Sequence, residues 1–316
     1  MQDSDFTPIR VTNLRGDLPI SFDVYMRVAG KYILYCRQGD SFEGQRLERL
    51  KGKKLRFMYV KNESANAFRD YMHKNLEAAY GSAEGKPIEL RAEILQGAMQ
   101  AAGEDLMEDP GNKSLYEVVK SGGQRFAQFV HQEEGALKAL LQIPNSDLSP
   151  SHHGTNVGSL AVALAKELGL ADKIPLNLLM AGGVLHDMDH YLHSNVFAKP
   201  LQELAPQEMS QYKLHPHRGL QNLEAAGFYD KSVLAAVAQH HECLDGSGFP
   251  ARLKEKELDP LGMIVATANS FDRLISFERL EPKEALKKIL IEKLGQHPLE
   301  HLQALQHMLK KHDILT

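Results

Sequence analysis

Leu178-Leu179-Met180-Ala181-Gly182-Gly183-Val184-Leu185-His186-Asp187 is an apolar run that ends in two ionisable residues. A bilayer span takes roughly 20 apolar residues, so a run this short reads as a helix buried on all sides within a protein core. A second run, Val233 to Ala238, leads in the same way to His240-His241. Burying such groups unpaired costs several kcal/mol. The ends of two core helices must therefore carry partnered or metal-bound side chains.

Outward from these runs the helical period continues. Val157, Leu160, Leu164 and Leu168 share one helical face, Leu220 and Leu223 another, and Leu261 to Ile275 a third, with no strand signal after Thr155. An all-helical second domain is expected. Toward the N-terminus the period changes. Phe22, Val24, Met26 and Val28 alternate, Ala29-Gly30 signals a turn, and Tyr32 to Cys36 follows as the second strand of a hairpin. Gly39-Asp40-Ser41 offers an N-cap for a short helix through Leu47 and Leu50 that Gly52 ends, Lys54 to Val60 reads as a third strand, and Ser64 can cap a helix to about Tyr80. Linker composition at 81–87 and breaks at 109–112 and 144–150 frame amphipathic connector helices. The expected division is a small α+β domain over 1–82, connector helices over 83–148 and a helical domain over 149–316.

With 43% apolar and 25% charged residues the chain is an ordinary globular one, which excludes disordered and fibrous classes. A net charge of −4 and no Lys/Arg run leave no basic field for a nucleic-acid polymer. The acidic start Met1-Gln2-Asp3-Ser4-Asp5 is no secretory signal, and Cys36 and Cys243 make no disulfide framework, so a cytoplasmic protein without a membrane anchor is expected.

Of fifteen histidines, nine fall between His152 and His241. A lone histidine is usually a hydrogen-bonded core or surface residue. His153, His186-Asp187, His215-Pro216 and His240-His241 taken together, two of them ending apolar runs, argue against that reading, because imidazole and carboxylate are the ligands that iron, manganese, zinc and nickel accept. Adjacent residues on a helix diverge by about 100°, so His186 and Asp187 meet one ion only if the helix end points at it. A short carboxylate can instead bridge two ions.

Residues from about Ser151 to Pro298 resemble the HD-GYP subgroup of the HD phosphohydrolase superfamily. The resemblance rests on His153 with Val157, on Leu185-His186-Asp187, on His215-Pro216-His217-Arg218-Gly219, on the long run His240-His241-Glu242-Cys243-Leu244-Asp245-Gly246-Ser247-Gly248-Phe249-Pro250, and on Ala268-Asn269-Ser270-Phe271-Asp272. It implies an α+β N-terminal domain followed by an all-α HD-type helical bundle, and hydrolysis of cyclic di-GMP. It implies one metal held by His153, His186 and Asp187, with Asn269 at a further ligand position, and a second held by Asp187 as bridge with His215, His240 and His241. A hydroxide shared by the two cations would attack phosphorus in line. Glu242 and Asp245 would orient ligand imidazoles from behind, a loop-capping role for Asp245 being equally open. Iron is the expected metal, manganese next.

The departures from the family pattern bear on function. Asn269 replaces an aspartate ligand, and Ser149 stands where three-metal relatives carry a glutamate, so two metals are the upper expectation. His190 replaces the lysine of the HDIGK run that would meet a substrate phosphate. The resemblance keeps His190 beside Asp187 as a catalytic and substrate-binding candidate that could carry charge when protonated. Asp189 replaces a glycine and adds a negative charge near an anionic substrate. Glu278 and Glu281 stand where the family clamps the dinucleotide with Arg and Lys, leaving Arg279 as a candidate replacement. Phe249 takes the place of the signature tyrosine. Three readings stay open: a phosphodiesterase for cyclic di-GMP or a related small phosphodiester; a catalytically weak or silent module that senses or binds a partner such as a GGDEF-type cyclase; and an HD enzyme for another phosphoester. The N-terminal domain is expected to regulate or dimerise the metal domain.

Overall fold

Alternating side chains need a sheet to face, and the computed structural model supplies one. It describes residues 5–16, 18–43, 45–53, 55–81, 85–144, 148–193 and 197–315. Contacts divide the chain into two units, Met1–Ala101 and Ala102–Thr316.

In the first unit β1 (Phe6–Arg10), β2 (Val24–Val28), β3 (Lys31–Cys36) and β4 (Phe57–Lys61) form an antiparallel sheet in the order β1-β4-β2-β3. Ala29 and Gly30 both have positive φ (48° and 77°), the backbone that a two-residue hairpin turn requires. The helices α1 (Arg46–Gly52), α2 (Ala65–Tyr80) and α3 (Ile88–Glu108) accompany the sheet, and the boundary between the units falls within α3. Phe22, Val24, Met58, Val60, Phe42 and Tyr71 are among the buried residues of this core. The hairpin, α1, α2 and β4 follow the sequence expectation. Ser64 precedes α2, but its side chain makes no capping bond. The strand missed from sequence is β1: it is short, holds Pro8 and lies at a sheet edge, where a missing N–H is tolerated. Lys54 and residues 82–84 and 145–147, where a strand start, a linker and a break were expected, lie outside the described residues.

The second unit is helical: α4 (Lys113–Gln132), α5 (Ala136–Leu141), α6 (Pro150–Glu167), α7 (Leu176–Leu185), α8 (Met188–His193), α9 (Pro206–Tyr212), α10 (His215–Glu224), α11 (Lys231–Gln239), α12 (Pro260–Ser276), α13 (Pro282–Glu292) and α14 (Leu299–Lys311). The connector expected over 83–148 is shared between the units, because α4 packs on α6 and α7, and α5 on α6. Among the described residues no helix is long and apolar enough to cross a membrane.

Small residues set the closest helix contact. A Cβ added to Gly183 of α7 would collide with the backbone of Gly158 in α6, and one on Gly154 would meet the carbonyls of Gly183 and Val184. The two backbones touch, so the residues around 153 and 186 are drawn to the same place. Exchanging Gly183→Ala is expected to force α6 and α7 apart and to cost about 1–3 kcal/mol, the usual range for overpacking. Urea unfolding that matches the unsubstituted chain would count against this close approach.

Candidate metal centre

Four candidate ligands, His153, His186, His215 and His240, stand at helix ends, and a hydrogen bond from Nδ1 fixes each ring. Ser149 Oγ accepts from the His152 N–H (3.2 Å) and Pro150 opens the helix, so His153 enters on the first turn of α6. His186 follows the last residue of α7 and donates from Nδ1 to the Gly183 carbonyl (2.6 Å). His215 opens α10 and donates from Nδ1 to the Tyr212 carbonyl (2.6 Å), while His240 follows α11 and donates to the Val237 carbonyl (2.9 Å). For His153 the acceptor is a carboxylate, Asp272 Oδ2 on α12, at 2.6 Å.

These bonds decide the tautomers. With Nδ1 carrying the proton, each Nε2 presents a lone pair. The lone pairs converge. Nε2 of His153 lies 3.3 Å from that of His186, and Nε2 of His215 lies 2.8 Å from that of His240. Asp187 stands between the two pairs. Its Oδ2 is 3.1 Å from His186 Nε2 and 3.6 Å from His153 Nε2, and its Oδ1 is 3.0 Å from His215 Nε2 and 3.4 Å from His240 Nε2. Asn269 Oδ1 adds another acceptor 3.0 Å from His153 Nε2. Neither Asp187 oxygen has an aligned hydrogen-bond donor, and the side chain is buried. Lone pairs directed at one another without a proton between them repel, and a divalent cation removes the repulsion. His241 joins the Asp187, His215 and His240 group, while His153, His186 and Asp187 form the other; in each, the ligand atoms lie within 4.8 Å of one another. The donor set fits divalent metal.

Electrostatics agree. Burial pushes His240 down to about 3 against the pull of Asp187, and lowers His153 against the pull of Asp272. Burial, then the fields of His240 and His215, hold His241 well below its ordinary value. These imidazoles are neutral ligands at neutral pH.

The remaining expected site residues divide. His190 lies beside the centre, 4.1 Å from the His215 ring and stacked on Tyr212, and neither of its ring nitrogens has a partner. Burial and the neighbouring His215 keep it well below its ordinary pKa. Asp189 does not repel an anionic substrate as expected, because its Oδ2 accepts from Arg218 Nε and Nη2 at 3.0 and 2.9 Å. Phe249 stacks on His241 with ring centroids 4.5 Å apart. Glu242 accepts the backbone N–H groups of Ala251, Arg252 and Leu253 at 2.7, 3.2 and 2.9 Å, so it secures the loop after Phe249 in place of orienting an imidazole. Asp245 accepts from Ser247 N–H (2.9 Å), the loop-capping alternative. Glu278 is paired with Lys288 at 2.7 Å, and Glu281 precedes the first turn of α13. Arg279 lines a cavity of about 620 Å³ whose wall includes Asp272, His152 and Asn156 but no member of the two ligand groups.

Sequence reasoning gave no role to Asp272, Tyr212 or Arg273. Tyr212 Oη is 3.0 Å from His241 Nε2. Arg273 is buried one helical turn beyond Asn269, its Cζ 4.9, 5.4 and 5.9 Å from the ring centroids of Phe277, Tyr212 and Phe197. A signal for these existed: Asn269, Asp272 and Arg273 interrupt the apolar run of α12 on buried positions.

Residues 136–298 match the HD domain family. The chain matches the solved structure of Bd1817, an HDG"Y"P protein from Bdellovibrio bacteriovorus, with a TM-score of 0.91 and 42% identity over 97% of this chain and 100% of that one. It is 31% identical over 52% of its length to a cyclic di-GMP phosphodiesterase of Thermotoga maritima, of which it covers 45%. A 3'3'-cGAMP-specific phosphodiesterase of Vibrio cholerae is 29% identical over 44% of the chain, which covers 32% of that protein. The chain thus spans less than half the length of these curated relatives.

Two outcomes are expected. Asp272→Asn removes the carboxylate that fixes the His153 tautomer and should weaken metal binding about 10–100-fold; a chelator competition that shows no change would remove Asp272 from this role. His297 bonds to Ser270 Oγ (2.9 Å) behind Asn269, and burial pushes it down to about 3 from 6.5. Between those values the unfolded chain binds the extra proton, so stability falls as pH drops through this window. His297→Gln should remove about one proton from the slope of urea stability against pH in metal-free protein; an unaltered slope would refute the assignment.

Proposed function

We propose that this chain, which belongs to the HD-GYP group of the HD domain family, is a metal-dependent phosphodiesterase acting on a cyclic dinucleotide. The observation that carries the proposal is the Asp187 carboxylate, with one oxygen toward the His153 and His186 nitrogens and the other toward those of His215 and His240. The arrangement calls for two cations. His153, His186, Asn269 and Asp187 Oδ2 would hold one, and His215, His240, His241 and Asp187 Oδ1 the other. Mixed imidazole and carboxylate ligation favours iron, then manganese. When bound, such ions act as Lewis acids that lower the pKa of water and offset charge on phosphoryl oxygens.

The chain's own residues supply orientation and dryness. The Nδ1 bonds to Gly183, Tyr212, Val237 and Asp272 stop the ligand rings from turning, so the Nε2 lone pairs are set before any ion arrives. Phe197 and Phe277 pack on His153, and Phe249 covers His241, which keeps bulk water from the ligands. His190, whose ring nitrogens have no partner, has an N–H to offer a phosphate oxygen. The names of the relatives support cyclic di-GMP as the first substrate to test and 3'3'-cGAMP as the second.

A second reading, a weak or silent module in cyclic di-GMP signalling, is favoured by one specific observation: Asn269, an amide, adds no ligand charge beside His153. Metal analysis of the full chain, joined to turnover of both dinucleotides, separates the two. We expect two metals per chain and a linear dinucleotide product, with metal and turnover both lost in Asp187→Ala while the helical circular dichroism persists. Two bound metals without turnover would favour the silent module.

A further inference from the structure

A guanidinium keeps its charge at any physiological pH, and burying it without a counter-ion is costly. Arg273 is only 7% exposed, its Nη1 has no hydrogen-bond partner, and no carboxylate lies within ion-pair distance of it among the described residues. Three aromatic rings surround it, which offsets part of the cost through cation–π contact. Each ring also touches the metal centre. Phe277 and Phe197 lie 5.1 and 5.8 Å from the His153 ring, and Tyr212 lies 4.8 Å from His215 and 5.6 Å from His241. The guanidinium thus stands by rings that contact both ligand groups. His190, whose two nitrogens are also without partners, shares two of those rings: Phe197 at 5.2 Å and Tyr212 at 5.1 Å.

We propose that Arg273, with the ring of His190 beside it, forms an anion subsite that holds a phosphate group against the metal centre. Two buried groups with unused donor capacity share the rings of Phe197 and Tyr212, and an oxyanion would satisfy both: Arg273 by charge-assisted hydrogen bonds and His190 by a ring N–H. The other candidate cation, Arg279, lines a cavity whose wall includes no member of the two ligand groups. The subsite also defines the ligand as a phosphate ester or free phosphate. The identification of that phosphate with the dinucleotide's scissile group rests on the phosphodiesterase reading; the anion subsite itself does not.

The test is calorimetric binding of inorganic phosphate to the manganese-loaded full chain and to Arg273→Met. A charge-assisted bond lost from a dry site should weaken binding about ten- to hundredfold, with metal content unchanged. Because the substitution removes an unpaired buried charge, the melting temperature of the metal-free variant should not fall. Equal phosphate affinity in the two proteins, or a lower melting temperature with the phosphate response intact, would overturn the proposal and leave Arg273 a packing residue. If the Met variant does not fold, Arg273→Lys decides, since it keeps the charge and loses the fork: weakened phosphate binding on an intact fold supports the subsite, and unchanged binding overturns it. A parallel titration with cyclic di-GMP distinguishes the diester from free phosphate. If the unsubstituted chain never cleaves the dinucleotide while Arg273→Met still weakens phosphate binding, the enzymatic reading fails and the subsite stands.

Discussion

The second unit is organised around a buried carboxylate that no proton donor satisfies. Asp187 is buried with neither oxygen on an aligned donor, and the four imidazoles nearest those oxygens turn Nε2 toward it. An arrangement of acceptors facing acceptors is an electrostatic cost in the metal-free chain, and helix packing must bear it. The same cost becomes binding energy for a cation, because nothing has to be deprotonated or turned to receive it. Preorganisation of this kind needs anchors outside the centre. Three backbone carbonyls and Asp272 provide them.

Helix packing delivers those anchors. Contact between the backbones of α6 and α7 at Gly158 and Gly183 leaves no room for side chains and sets the separation of His153 from His186. α11 packs on α7 and α12, which brings His240 and Asn269 to the same region. α12 carries Asn269, Asp272 and Arg273 on buried positions, so one helix contributes a ligand oxygen, a ring anchor and a cation.

Much of this was legible in the sequence. Apolar runs ending at His186-Asp187 and His240-His241 marked buried helix ends, and helical spacing after Thr155 marked the architecture. What periodicity cannot express is direction. Glu242 and Asp189 looked functional by position, yet one turns to backbone N–H groups and the other to Arg218, because short-range donors were nearer than the centre. Arg279 was a candidate replacement for a phosphate clamp; it occupies a left-handed turn (φ 57°) after α12 and lines a cavity that includes no member of the two ligand groups. β1 escaped notice because a five-residue edge strand with a proline carries little pattern.

Two residues of α12 belong together. Asn269 and Arg273 are spaced i, i+4, the separation at which side chains on a helix meet. An aspartate at 269 would place a carboxylate one turn from the guanidinium, available both to the metal and to Arg273, and either use would diminish the other. With an amide there, the guanidinium keeps its full charge, and the loss of ligand charge falls on the His153 group alone. That group still has His186, Asp187 Oδ2 and the amide oxygen. A dication held there by fewer anionic ligands would retain more net positive charge. On the two-metal reading proposed above, the amide at position 269 would therefore shift the balance of the site toward an anion, at the expense of the grip on one metal.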